Sequence, residues 1–519
     1  VSSPLPPYPQ VIIEAGFASP APVAPPGTMT LDDAANGLLD TDTLDTAISW
    51  TDISRFALNM TITRASTRQQ GPLLQYQAGT LSVLLDNSLG YFDPDNLAGG
   101  YVSGGVSLIT PMVPIRVRAM WAGITWPLFS GFADSWAEIA TDYEAGYSEW
   151  TLSATDGFKV LAGITLAPLT VPAGSGELSG ARVQRILNSA MWFTGTQARI
   201  VGAGNSPVQA TSYGDTALNL LQVTADSEIG QLYVDGTGAV VFRQRQALIT
   251  DTRSSIVQAA FGDLPVSGSP PWTFANLGNP VLFSYFIIAA FQAPAVSIGD
   301  IFTTPPTGGT LFTVTAVSAP FAGYVNVSFS PSLGAPMAVG TLCYHAGAEY
   351  PYAGVGRVDD DTTIANDIQA TRVGGTLQEI TNAASIARYL FPRTYTRQDL
   401  VLNSDPDTLS WAAWILYVAA GGENRFDPLT IDPLANPGDL YPQVLGRQMG
   451  DRIQVTKRPP ETGWTVTKQA FISGITHTAD FTQNTWQTVF TLQDASKYGS
   501  FMTLDNTTTG LLDYNALVY

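Results

Sequence analysis

At 519 residues the chain is too long for one ordinary core, and a prior of roughly 100 to 200 residues per domain predicts about three to five domains. Charged residues make up 13%, about half the share of roughly 25% usual in soluble domains, and 24 basic against 43 acidic side chains leave a net charge of −19. That sign disfavours a general nucleic-acid-binding role built on phosphate neutralisation. The single cysteine, Cys343, excludes an intrachain disulfide and a multi-thiolate zinc site, and reads as a small buried apolar residue. There is no run of about 18 apolar residues and the chain opens on Val-Ser-Ser-Pro, so neither a spanning segment nor an intact signal peptide is expected. The 48 glycines and 35 prolines punctuate segments rich in Thr, Val and aromatic residues, which predicts a mainly β, multidomain fold with short helices in α+β accessory parts.

In chain order, residues 1–44 are rich in Pro, Ala, Thr and Asp and read as an extended N-terminal arm rather than packed core. From Trp50, alternating segments such as FALNMTITRAS, VPIRVRAMW and SEWTLSATD predict a first β-barrel domain over 45–160. An accessory α+β domain follows over 161–265, with amphipathic helices at 181–192 and 215–229. Its hairpin QLYVDGTGAVVFRQR carries Asp235-Gly236 in the turn, where positive φ is expected. Residues 266–348, nearly free of basic side chains, read as an inserted β-domain whose flanks AFGDLP and EYPYAG would join if it were removed. An accessory helical segment over 349–424 holds predicted helices at 376–391 and 407–420, the second apolar nearly all round and therefore buried. A second barrel is expected over 425–500 and a C-terminal tail over 501–519.

The two barrel segments share an order of residues. VPIRVRAMW, LFSGFADS and SEWTLSATDGFK run parallel to DRIQVTKRP, AFISGITHT and NTWQTVFTLQDASK, with Ser130-Gly131 matching Ser473-Gly474 and Trp150 matching Trp486. A duplicated barrel has a consequence for assembly, because three such chains present six barrels about one axis.

The stretch AGTLSVLLDNSLGYFDPDN, Ala78 to Asn96, resembles the signature of minor tail proteins of siphophages infecting actinobacteria, where an AGT strand leads into an LDN-x-x-G-x-FDP turn. SGFADSW, SATDGFKVLA, GARVQRIL, SEIGQLYVDGTGAVVFRQR, YAGVGRVDDDTTIANDIQATRVGG and ASIARY follow in the order of that family, over about 50–265 and 350–500. The arm and the insertion depart from it. The resemblance implies a virion structural protein of the tail tip, similar to the baseplate hub proteins of contractile phages, with two tube-forming barrels in a homotrimer. It also implies a distal tail protein, the tape measure protein and other minor tail proteins or fibres as partners, with DNA passing through unbound.

Candidate sites are few. Asp86, Asp93 and Asp95 in the LDNSLGYFDPDN turn could offer oxygens to a cation, although the residue types read first as a structural turn. Arg357 and Arg372 are candidates for interchain pairing with carboxylates. In the insertion, Phe312, Phe321, Tyr324 and Phe329 could form a face for host cell-surface glycan, which makes a receptor-binding module the alternative reading. Trp411 and Trp414, one helical turn apart, read as core. His345 and His477 are the only histidines, and no G-x-S-x-G, H-E-x-x-H or phosphate loop occurs. The expectation is therefore a protein without catalytic residues, cofactor or metal, a wall-degrading enzyme being the third reading.

Overall fold

The computed structural model describes residues 8–17, 50–68, 73–142, 146–192, 199–263, 349–458 and 465–498; between 264 and 348 it describes only six short strands. The fold is mainly β, with several sheets and a few short helices. Among the described residues no helix is long and apolar enough to cross a membrane.

The largest sheet holds two seven-strand paths. The first comprises β1 (Gln10–Gly16), β2 (Trp50–Asp52), β3 (Ala57–Arg68), β4 (Thr80–Asp86), β5 (Pro114–Trp121), β6 (Ile124–Asp142) and β7 (Tyr147–Thr155). They pair in the order β2-β1-β5-β6-β7-β4-β3. The second comprises β8 (Val257–Gly262), β9 (Tyr350–Pro351), β10 (Gly354–Asp360), β11 (Glu423–Ile431), β12 (Arg452–Lys457), β13 (Val466–Asp480) and β14 (Thr485–Asp494). These pair as β9-β8-β12-β13-β14-β11-β10, so every strand of the first path has its counterpart seven places later. The repeated residues lie on the matching meanders β5-β6-β7 and β12-β13-β14. The two paths differ at their two outer contacts: β1 runs antiparallel to both β5 and β2, whereas β8 runs parallel to both β12 and β9.

Alternation explains why these segments are strands. In β5 every second side chain, from Ile115 to Trp121, is buried while its neighbours are half-exposed, which is the period of a pleated strand with one wet face. The buried sets of both paths merge into one core that includes Ile13, Val117 and Leu152 from the first and Ile453, Ile475 and Phe490 from the second.

The N-terminal reading needs correction here, since part of the expected arm is core. β1 pairs with β5 over six residue pairs, buries Ile13 and Ala15, and is fastened by Glu14, which receives hydrogen bonds from Arg116 at 2.6 and 3.0 Å and from Arg118 at 3.2 and 2.8 Å. Burial alone would raise the Glu14 carboxyl, but the two guanidinium groups hold it below its ordinary range. Residues 18–49 lie outside the described residues.

Two smaller units flank the sheet. One contains α1 (Ser179–Ser189) and α2 (Ala217–Glu228) around Val183, Leu221 and Phe242. Its hairpin tip leans on β6: a Cβ on Gly236 would stand 2.3 Å from the Pro127 carbonyl oxygen, and one on Gly238 2.9 Å from Ser130 Oγ. Positive φ falls on Gly238, at 90°, not on Gly236, which is needed for close approach instead. The other unit packs α3 (Asp405–Ala419) through Trp411 and Ile415 onto Ile368 and Leu400. Trp414 points the other way, toward Leu248, Phe471 and Tyr498, so one all-round apolar helix serves two cores.

The helix expected at 376–391 is a strand, Gln378–Thr381, followed by a shorter helix, Ala383–Tyr389. Asn382 divides them, its Oδ1 accepting the Ser385 N–H at 2.9 Å as an N-cap.

Candidate assembly interface

The two paths meet where β3 pairs antiparallel with β13, from Asn59 opposite Asp480 to Ala65 opposite Gly474. β13 is 15 residues long, whereas its hairpin partner β12 covers only Val466 to Phe471. The remainder of that edge is left for β3. Gly474 matters at the start of this overhang, since a Cβ there would stand 3.0 Å from the Ala65 Cα.

Beneath the joint lie buried polar groups. His477 is 1% exposed, its Nδ1 is 3.0 Å from Thr488 Oγ1, and the Trp486 ring packs against it. Burial, with Arg64 adding like charge, pushes its pKa down to about 3. Arg64 is 3% exposed and donates to Gln448 Oε1 at 3.4 Å. Asp156 accepts the Gly79 N–H at 2.6 Å and the Phe158 N–H at 2.9 Å; burial pushes it up to about 7 despite those bonds and the Arg64 charge.

The two groups bias stability in opposite directions. An unfolded histidine takes up its proton near pH 6.5 while folded His477 stays neutral, so stability falls as pH drops below about 6.5. An unfolded aspartate ionises near pH 4 while folded Asp156 holds its proton to about 7, so stability falls as pH rises between those values. Thermal melts from pH 4 to 8 are expected to lose the acid-side fall in His477→Asn and the rise-side fall in Asp156→Asn. Unchanged profiles in both variants would refute this.

Several further edges of the sheet have no strand partner among the described residues, the outer edges of β2 and β9 among them, and two others match the joint. One is the outer edge of β10, the counterpart of β3, which pairs only with β11. The other is the C-terminal part of β6, the counterpart of β13: β5 covers β6 only as far as Phe132, and residues 137–142 have β7 on one side alone. Ile139 on this overhang is 60% exposed. Exposed Arg357 lies on β10, followed by Asp359 and Asp360, and exposed Glu138 lies on β6 with Asp142.

The sequence-predicted residues fall differently. Arg357 stays on an open edge, donating to Asn424 Oδ1 at 3.2 Å. Arg372 is used within the chain, donating to Asp405 Oδ1 at 2.6 Å and to Gln209 Oε1 at 3.2 Å, which ties the two flanking units together. Asp86 accepts from Ser88 and Asp93 from the Asp95 N–H at 2.9 Å, while buried Asn87 accepts the Phe92 N–H at 2.8 Å and Gly90 takes φ 67°. These are turn bonds, and among the described residues no three His, Cys, Asp or Glu side chains gather as a metal site. Phe329 is 3% exposed and cannot face a surface glycan. Phe312 and Tyr324 lie on strands of the inserted sheet, with side chains outside the described set, as are all of Phe321 and the Cys343 side chain.

The sequence marks the flanks of the insertion but not the charged residues that hold them. Asp263 precedes it and Glu349 follows it, and Arg458 bonds both, to Glu349 at 2.8 and 3.2 Å and to Asp263 at 2.6 Å through its N–H and 3.3 Å through its side chain. β8 and β9 run parallel, so the insertion is a crossover connection rather than a hairpin loop, and its two flanks stand side by side: a Cβ on Gly262 would lie 3.1 Å from the Glu349 Cβ.

No protein-family model matches the chain and no curated protein matches it. Among solved structures it is similar to the tail protein from Neisseria meningitidis MC58, at 11% identity and TM-score 0.46, covering 87% of this chain and 96% of that one. It is also similar to the prophage MuSo2 43 kDa tail protein from Shewanella oneidensis, at 10% identity and TM-score 0.45, covering 94% and 99%. A third is the prophage tail protein gp18 from Listeria monocytogenes EGD-e, at 8% identity and TM-score 0.40, covering 94% and 96%.

Proposed function

We propose that the chain is a structural protein of a long-tailed bacteriophage virion, the hub of the tail tip, in which three copies close a ring of six modules. The observation that carries this reading is the agreement of the two seven-strand paths combined with their head-to-tail joint. Within one chain, β3 of the first module fills the overhang of β13 in the second. The same step repeated between chains puts β10 of one copy on the β6 overhang of the next, with Arg357 near Glu138 of the partner subunit. A heterologous contact of this kind makes a closed ring when its rotation closes. The motif order from Ala78 onward supports the tail assignment, and with it a distal tail protein, the tape measure protein and other minor tail proteins or fibres as neighbours.

Cysteine pairs scanned across 137–142 of β6 and 354–359 of β10, in a Cys343→Ser background, test the contact. Oxidised tails are expected to give a ladder of linked chains that stops at three. Intact tails in which no pair ever cross-links, or a ladder running past three, would reject the ring.

A further inference from the structure

An open polar cleft lies between the two flanking units, with about 570 Å³ of room for solvent, inside the range of roughly 300 to 1,000 Å³ usual for small-ligand sites. One wall is a face of α2, where Asn219, Gln222, Val223 and Asp226 recur three and four residues apart. The other is the strand Thr394–Leu400, an outer strand of its three-stranded sheet. The cleft meets that strand at its edge, which is why consecutive residues, Thr396 to Asp399, all line it. Gln75, on the short strand Leu74–Tyr76, completes the lining. The walls are fixed to each other: Trp411 Nε1 donates to the Asp226 carbonyl oxygen at 2.9 Å and the Val401 N–H to Ser227 Oγ at 3.0 Å. Arg397 joins them too, one Nη donating to Asp226 Oδ2 at 2.8 Å and to Asp399 Oδ2 at 3.0 Å.

Much hydrogen-bonding capacity is left open. The carboxamides of Gln75, Gln222 and Gln398 make no hydrogen bond among the described residues, and Arg397 keeps its second Nη. The Asp399 side chain is 52% exposed, against 13% for Asp226. We propose that this cleft binds a neutral saccharide through its hydroxyl groups. An apolar ligand would gain little, since among the lining residues Val223 alone is apolar. An anion would meet two carboxylates against one guanidinium that is already paired. A sugar hydroxyl both donates and accepts, which matches carboxamides that do both, Asp399 as an acceptor and the Arg397 Nη as a donor. Because α2 is tied to the strand edge at Ser227 and Asp226, an added peptide strand has little length to pair along, while the same ties hold the cleft open in advance and lower the cost of ordering it. The aromatic residues considered for glycan in the sequence belong to the insertion and are not part of this site. Binding of this kind needs only one chain and holds whether or not the hub reading does.

The test takes the purified full chain and a panel of neutral di- and trisaccharides of hexoses and N-acetylhexosamines, read by saturation-transfer NMR. Transfer from the wild type to at least one sugar is expected, with affinity lowered on the order of tenfold or more in Q222A/Q398A, the effect of two lost hydrogen bonds. The isosteric Q222E/Q398E, which removes both donors and keeps the shape, is expected to show the same loss. Q483A, in the exposed turn between β13 and β14, is expected to bind like the wild type, and all the variants to melt with it. Silence from every sugar in the panel would overturn the proposal, as would wild-type affinity in Q222A/Q398A or an equal loss in Q483A. Binding of neutral polar peptides with no sugar bound would give the cleft to a protein partner and overturn it as well. Failure of the hub reading would show separately, as absence of the chain from tail tips.

Discussion

Arg458→Met is expected to destabilise the protein by about 3 to 5 kcal/mol, the cost of removing one partner from a buried ion-pair network. The guanidinium side chain is 8% exposed, and its loss strands Glu349 at 11% and Asp263 at 24% exposure beside β8 and β9. Much of the penalty is the desolvation of carboxylates left without a cation. Denaturant unfolding of the full chain measures it, and the companion triple variant Arg458→Met, Asp263→Asn, Glu349→Gln separates causes. That variant is expected to recover a large part of the loss, because the stranded charges are gone; no recovery would show that the arginine acts by packing alone.

Gly180→Val is expected to be of similar size. Gly180 opens α1 against the backbone of the next segment, where even a Cβ would stand 1.9 Å from the Gly202 carbonyl oxygen and 2.4 Å from that of Ala203. Both neighbours are main chain, so relief requires the helix and the loop to part. Overpacking of a tight site costs about 1 to 3 kcal/mol, occasionally more. Gly180→Ala should lie toward the low end and Gly180→Val beyond it, read as successive falls in melting temperature. A valine variant that melts with the wild type would contradict the contact.

How much was legible follows from the range over which each signal acts. The β5 and β14 strands announce themselves by alternation, α1 by apolar positions spaced three and four apart, and α3 by being apolar nearly all round, because burial imposes its pattern on neighbouring residues. The order of strands in the two paths was visible only as the repeat of Ser-Gly and Trp positions. Partner choice between distant segments was not, so the parallel pairing of β8 with β12 could not be read. The helix Pro437–Gly446 was hidden by Pro437, Gly438 and Pro442, which locally signal a turn. β1 was overlooked inside a proline-rich stretch, although QVIIEAG carries strand-forming residues.

At the candidate interface, length was the missed clue. β6 has 19 residues and its tight hairpin partner β5 has eight, and that mismatch requires an overhang. Arg372 was misassigned for a related reason. An arginine suited to carboxylates looks the same whether its aspartate lies 33 residues away in the same chain, as Asp405 does, or on a neighbour.

The tether between the two modules also bears on how a ring could grow. Since β3 and β13 belong to one polypeptide, their encounter is unimolecular and needs no threshold of subunit concentration. Alternate seams of a six-membered circle would then be set at the time of folding, leaving bimolecular collisions to make only the others. Dilution would split such a circle at those others alone, into whole two-module pieces and never into single modules.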